Sequence, residues 1–364
     1  MNHAQHEHGR GEVAVYGAYG HTGRFIIDEL RRRGWTPIAC GRDAGKLASL
    51  LARYPELEGR VAAIDDPDVL DRAFAGAVAV INAAGPFLDT AEPVLEAALR
   101  AGIHYFDTSA EQRAAFTVFE DYAERARAAG IVAMPSVAFY GALADLLATA
   151  ALADWPDADS IDIAVGLDSW HPTAGTRITG TRNHWRRWVV EEGELQVIPD
   201  PATTGRWTYP EPMGEQDVVL LTLSEVVAIA RHLRSRHVRS YMNLAPLHDL
   251  RDPQTPSPVA SDERGRSGQQ FIVDVHVRRG GQLRRAVAQG RDIYAVSAPL
   301  IVEAMERVMA GDVAPGAWAA GEAFDARDFL TALTPDSLSL RIETERTRSA
   351  DGESVDALSP LAAG

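Results

Sequence analysis

The sequence predicts an α/β protein, a doubly wound parallel sheet followed by a second, mixed α+β domain. Three observations carry that prediction. A short β-branched strand near the N-terminus runs into three regularly spaced glycines and an amphipathic helix, strand-like and helix-like segments then alternate as far as Met134, and β-rich segments with polar loops follow Asp154-Trp155-Pro156-Asp157.

The first strand, Val13-Ala14-Val15-Tyr16, ends on Gly17-Ala18-Tyr19-Gly20-His21-Thr22-Gly23, and Arg24-Phe25-Ile26-Ile27-Asp28-Glu29-Leu30-Arg31 continues as helix. A pyrophosphate approaches a backbone closely only where side chains are absent, and the first turn of a helix offers it unpaired N–H groups. The spacing is G-x-x-G-x-x-G, so Ala18 stands where the fingerprint G-x-G-x-x-G has its first glycine. The strand before and the helix after supply the context the motif needs, which makes the fold Rossmann-type. Gly17, Tyr19, Gly20, His21, Thr22 and Gly23 are the expected dinucleotide contacts.

The second strand delivers Gly41-Arg42-Asp43 about 20 residues beyond the motif, where an acid binds the ribose of NAD and a cation the 2′-phosphate of NADP. Arg42 points to NADP(H), with Lys46 one turn further as a second cation. Asp43 folding back onto the ribose is the alternative. Residues 44–54 read as helix and 61–66 as a third strand that carries Asp65 toward the adenine edge. Asp66-Pro67-Asp68 reads as a helix start. The fourth strand, 78–82, runs into Ala83, Ala84, Gly85 and Pro86, whose small side chains leave backbone free for the nicotinamide half. Helices over 93–101 and 112–129 and strands over 105–107 and 131–134 complete this domain.

In the second domain, 161–165, 173–181 and 196–212 read as β-rich, 253–268 as a surface loop, and 270–278 with 283–290 as a hairpin around Gly280-Gly281. The expected boundaries are a disordered tail over 1–11, a nucleotide-binding domain over 12–153, a substrate domain over 154–295, a C-terminal helical segment over 296–346 and a disordered tail over 347–364. His3, His6 and His8 lack a scaffold to fix coordination geometry, and no metal site is expected.

The chain's 364 residues suffice for two domains, and its net charge of −15 argues against binding nucleic acid or an anionic membrane. The single cysteine, Cys40, excludes an intrachain disulfide. No apolar run reaches the roughly 18 residues of a membrane span, so a cytoplasmic protein is expected. Edge strands in the second domain make a homodimer an expectation as well.

Lys46 is the only lysine. A tyrosine paired with a lysine four residues later is therefore impossible, because position 42 is Arg42, and a Schiff-base lysine would have to sit beside the adenine end. Hydride transfer needs positioning more than a protein base, yet a proton must also be supplied. Asp107 and Glu111 follow the fifth strand at the carboxyl edge of the sheet, where either can orient an amine or imine or hold the nicotinamide ribose. Helix capping by Asp107 and solvation of Glu111 are the alternatives. Tyr140, after the sixth strand, is a candidate proton donor, or else a packing residue. The polar run 175–185 is a candidate substrate pocket, with Arg177 or Arg182 holding a carboxylate or a carrier-linked group and His184 beside them. Arg186 and Arg187 are expected to face solvent.

The runs Gly17 to Gly23, Gly41-Arg42-Asp43, Asn82-Ala83-Ala84-Gly85-Pro86-Phe87 and Ala101-Gly102-Ile103-His104-Tyr105-Phe106-Asp107-Thr108-Ser109-Ala110-Glu111 together resemble the saccharopine dehydrogenase-like reductase family, which includes trans-acting enoyl reductases. Arg291-Asp292-Ile293-Tyr294, Pro315-Gly316-Ala317-Trp318 and Phe324-Asp325-Ala326-Arg327-Asp328-Phe329-Leu330 extend the likeness to the C-terminus. The resemblance implies an NADP(H)-binding Rossmann domain interrupted by a reductase domain, with the C-terminal helix packing back on the first domain. It also implies hydride transfer to a C=N or C=C bond of a small or carrier-bound substrate. Ser109-Ala110-Glu111 departs from the Gly-Glu ending typical of the enoyl reductase branch. A second function compatible with the same residues is a non-catalytic NADP(H)-binding redox sensor.

Overall fold

The computed structural model describes residues 10–343. The expected tails, and His3, His6 and His8 with them, lie outside the described residues apart from Arg10 and Gly11, which lead into the first strand. In chain order the first half comprises β1 (Glu12–Tyr16), α1 (His21–Arg32), β2 (Thr36–Gly41), α2 (Ala44–Arg53), β3 (Glu58–Val61), α3 (Pro67–Phe74), β4 (Ala79–Asn82), α4 (Phe87–Ala101), β5 (His104–Asp107), α5 (Gln112–Asp121), α6 (Ala123–Ala129), β6 (Val132–Met134) and α7 (Gly141–Leu152). The second half comprises β7 (Ala158–Leu167), α8 (Ala174–Arg182), β8 (Trp188–Glu191), β9 (Glu194–Val197), β10 (Thr204–Thr208), β11 (Glu215–Leu220), α9 (Ser224–His232), β12 (Ser235–Asn243), α10 (Leu244–Arg251), β13 (Gln270–Arg279) and β14 (Gln282–Arg291). The chain closes with α11 (Ser297–Met309), β15 (Gly316–Ala317), α12 (Ala320–Ala323), α13 (Ala326–Ala332) and β16 (Leu338–Glu343).

The first sheet is parallel throughout, in the order β15-β6-β5-β4-β1-β2-β3. Strand order reverses between β1 and β4, which opens a crevice at their carboxyl ends. The second sheet runs β10-β11-β12-β7-β13-β14-β16, with β8 on β12 and β9 on β8. Only β7 and β12 pair parallel there, and the hairpin β13–β14 turns at Gly280 and Gly281, both at positive φ, as its two-residue turn requires. Helix α7 is buried on almost every side and packs on β13 and β14 as well as α9, so one apolar core runs from β1 through α7 to β7 and β13.

Several elements differ from the sequence expectation. Residues 174–182 form a helix rather than a strand: Thr173 caps it by accepting from the Thr176 amide, and contacts made by the rest of the chain outweigh its Thr- and Gly-rich composition. The third strand ends at Val61, which leaves Asp65 exposed in the following loop. Helix α4 begins at Phe87 and carries Pro93 inside it, and the helix expected over 112–129 breaks at Tyr122. The closing segment divides. Helix α11 packs on α1, where Arg33 meets Glu303 at 2.6 Å and Glu306 at 2.7 Å, and β15 joins the first sheet, whereas β16 becomes the edge of the second. Among the described residues no helix is long and apolar enough to cross a membrane.

Candidate functional site

The crevice is built from the turn after β1 and the loop after β4, pressed together. Gly17 has φ +87°, and a Cβ there would stand 2.9 Å from the Ala83 and Ala84 backbone. A Cβ on Gly23 would run into the Gly17 carbonyl, so α1 can start this close to β1 only with glycine. Gly20 caps α1 without any side-chain hydrogen bond, and the first turn holds no acid. The amides of His21, Thr22 and Gly23 have no backbone acceptor. Unpaired N–H groups, a positive helix end and absent side chains together fit a pyrophosphate.

At the β2 end of the crevice, the Tyr19 ring covers Gly41 and its hydroxyl accepts from the Asp43 amide at 3.2 Å. Asp43 is committed to capping α2, accepting from the Lys46 amide at 3.0 Å. Lys46 lies 3.9 Å from the Asp43 carboxylate and 5.9 Å from the Tyr19 ring centroid. Arg42 is exposed and makes no ion pair among the described residues. Asp65 lies near Tyr16, whose phenol burial drives well above its usual range.

At the β4 end, Ala83 donates to the Tyr16 carbonyl at 2.8 Å and Ala84 to the Asn82 side chain at 3.1 Å, while Thr90 donates to the Ala84 carbonyl at 2.6 Å. Helix α8 closes over this loop. Thr179 faces Gly85, and Arg182 bonds both oxygens of Asp89 at 2.7 and 2.8 Å. Arg177 donates to the Asp252 and Thr255 carbonyls at 3.2 and 2.8 Å, and His184 is exposed. The two arginines expected to hold substrate therefore tie α8 in place.

The acids separate in role. Asp107 is wholly buried and accepts from the Ser109 amide at 2.9 Å, the Ser136 amide at 2.8 Å and the Tyr105 hydroxyl at 2.8 Å. It clamps the turns after β5 and β6 together, leaving no face open to a reactant. Glu111 does not cap its own helix α5. Its Oε1 accepts from the Phe87 amide at 2.9 Å, while Oε2 is buried without a partner and burial pushes the carboxyl up to about 7. Tyr140 opens α7 with its hydroxyl buried and unpaired, its ring 6.0 Å from that of Trp170. Desolvation holds this phenol well above its ordinary value, so it stays protonated.

The structure adds a group that sequence reading missed. Thr222 and Glu225, at the start of α9, and Arg187, ahead of β8, each carry a buried polar atom with no partner. Arg187 was expected in solvent but is largely buried, and Glu225 is the charge that acts on it there. No spacing in the sequence links positions 187 and 222; only the packing of the second domain brings them together. Among the described residues there is no cluster of His, Cys, Asp and Glu able to hold a metal.

Residues 13–134 match the family model described as the saccharopine dehydrogenase NADP binding domain. The chain is similar to a saccharopine dehydrogenase-like oxidoreductase of Bos taurus, 29% identical over 152 residues, covering 37% of this chain and 35% of that protein. A Caenorhabditis elegans protein named lipid droplet localized protein is 28% identical over 149 residues, covering 38% of this chain and 35% of its own. The matched region thus spans about a third of the curated relatives' length. In fold, the chain resembles saccharopine dehydrogenase (L-Glu forming) from Saccharomyces cerevisiae, with a TM-score of 0.63, 13% identity and coverage of 91% of this chain and 99% of that one. The glycine cradle lies wholly within the matched segment, so over residues 13–134 the chain carries a saccharopine dehydrogenase-type NADP binding domain.

Proposed function

We propose that the protein is an NADPH-dependent oxidoreductase that reduces a C=N or C=C bond of a small or carrier-bound substrate, held between α8 and the carboxyl edge of the first sheet. The observation that carries this reading is the cradle: three unpaired amides in an acid-free helix turn, pressed on the β4 loop that α8 covers. When bound, NADPH supplies the hydride. The amides of His21, Thr22 and Gly23 bind its pyrophosphate, and Arg42, left unpaired while Asp43 caps α2, meets the 2′-phosphate. Ala83 to Pro86 orient the nicotinamide half, and Thr179 and Arg182 keep water from it by holding α8 down. The atom that does not receive hydride needs a proton. Tyr140, unpaired and protonated at neutral pH, is the donor in this reading, and Glu111 fixes the start of α4 through the Phe87 amide.

Titration with NADPH and with NADH, followed by nicotinamide fluorescence, tests this reading. The expected result is tighter binding of NADPH and a loss of roughly tenfold for NADPH alone in Arg42→Ala, in line with a charge-assisted bond. Binding of neither nucleotide by the wild-type chain would overturn it.

A further inference from the structure

We infer that the cavity between the β7–α8 connection and the loop ahead of β13 is a subsite for an uncharged aromatic ring of the substrate. The inference rests on the proposed reductase reading and assigns its substrate class.

Tyr294, Pro258, Val259, His171 and Ser267 line a cavity of about 210 Å³. A cavity of about 150 Å³ already takes a benzene ring, so this one has room for a ring with one small substituent. Its walls carry no free charge. Among the described residues, no acid, lysine or arginine lines it. The two charged residues just ahead of Tyr294 are spent on backbone and loop. Buried Asp292 accepts from the Ser267 amide at 2.7 Å and from the Tyr294 and Ala295 amides at 3.0 Å. Arg291 donates to the Ser267 carbonyl at 2.9 Å and to the Ser261 hydroxyl at 2.7 Å. A charged group entering here would lose water without gaining a counter-ion.

The polar groups sort in the same direction. The Tyr294 hydroxyl accepts from the Trp170 indole at 3.1 Å and the Thr173 amide at 3.3 Å and pairs with the Thr176 hydroxyl at 3.0 Å, so it offers the cavity its ring alone. Gln269, also in the wall, is engaged at both ends of its amide, by the Ile293 N–H at 3.2 Å and by the Ser169 carbonyl. The imidazole of His171 and the hydroxyl of Ser267 make no hydrogen bond among the described residues. An aryl ring packed on Tyr294, with one neutral substituent reaching His171 or Ser267, uses each of these free features. The position suits a substrate. Ser169 and His171 flank Trp170, whose ring lies 6.0 Å from that of Tyr140, and the Tyr294 ring meets that of His21, the first residue of α1, edge-on at 5.4 Å. Tyr294 thus stands between the cavity and the nucleotide cradle, and Trp170 joins it to the proposed proton donor.

The test is calorimetric titration of benzamide into NADP⁺-loaded protein at pH 8, followed by displacement of the bound benzamide with benzoate or with benzylamine. Benzamide should bind at one site, and half-displacement should need at least roughly tenfold more of either charged relative. Gly268 lies in the wall, and a Cβ there meets nothing nearer than the Ser261 hydroxyl at 3.7 Å, so the backbone accepts a side chain. Gly268→Leu should abolish benzamide binding by filling the cavity. His171→Leu should weaken it about fivefold, the loss of one hydrogen bond, with NADP⁺ affinity unchanged in both variants. No binding of benzamide, equal displacement by the charged relatives, or binding that survives in Gly268→Leu would overturn the inference. If Gly268→Leu does not fold, His171→Leu decides, and unchanged benzamide affinity there overturns it. Failure of the wild-type chain to bind NADP⁺ would be a failure of the reductase reading, whereas NADP⁺ binding without benzamide binding sinks this inference alone.

Discussion

A Cβ on Gly85 would stand 2.9 Å from the hydroxyl of Thr179, so the loop after β4 in the first domain and helix α8 in the second meet with no room between them. That contact is a direct tie between the nucleotide-binding half and the segment covering it. Gly85→Ala should push α8 outward and raise the KM for substrate severalfold with little change in melting temperature. Thr179→Ala in the same chain should recover most of the loss, giving a coupling energy of about 1 kcal/mol between two residues 94 positions apart in numbering. Additive effects in this cycle would show that the two elements separate during turnover.

Gly23→Ala meets backbone rather than a movable side chain, since its Cβ would collide with the Gly17 carbonyl and lie 3.0 Å from that of Ala18. Overpacking of this kind costs about 1–3 kcal/mol, read from urea unfolding. Nicotinamide binding should be lost outright, because the turn that aims the α1 amides must open.

Asp107 separates a clamp from a catalyst. Asp107→Asn keeps an oxygen for the Ser109 and Ser136 amides and places an amide group against the Tyr105 hydroxyl, which can accept. Its kcat should stay within about threefold of wild type, while Asp107→Ala, which strands two buried amides, should lose about 3 kcal/mol of stability. A loss of kcat by orders of magnitude in the asparagine variant would instead make Asp107 a proton-transfer group.

Glu111 and Glu225 set a pH dependence. Both carboxyls are raised in the folded chain to about 7 by burial, from an ordinary 4.5. The folded state therefore binds more protons than the unfolded state between pH 4.5 and 7, and stability falls as pH rises through that window, with the full penalty present above 7. Removing the charge with Glu225→Gln should stabilise the protein by up to about 3 kcal/mol at pH 8 and much less at pH 4.5, measured as unfolding free energy in urea. Equal shifts at the two pH values would contradict the burial argument.

The cradle was legible because it is local. Gly17, Gly20 and Gly23 lie in one turn, and the steric demand of that turn is written in consecutive residues, as is the capping of α3 by Asp66 that Pro67 signals. The position of Arg42 was legible for the same reason, directly after the strand that pairs with β1. Tyr140 and Glu111 could be named as candidates, but their unpaired buried atoms could not be foreseen, because desolvation comes from neighbours far along the chain. Arg177 and Arg182 misled: their charge suggested ligand contacts, and the structure ties them to Asp252, Thr255 and Asp89.

The sequence by itself determined the parallel first sheet, the nucleotide turn and the β13–β14 hairpin, since strand alternation, glycine spacing and turn chemistry act over a few residues. Only the tertiary structure decided that 174–182 is a helix, that the end of the chain divides between two sheets, and that Arg187 is buried beside Thr222. The helix is held by Tyr294, Gly85 and Asp89, from 93 to 118 positions away from the residues they meet. Backbone preferences of the run itself are worth well under 1 kcal/mol per residue, too weak to oppose such contacts.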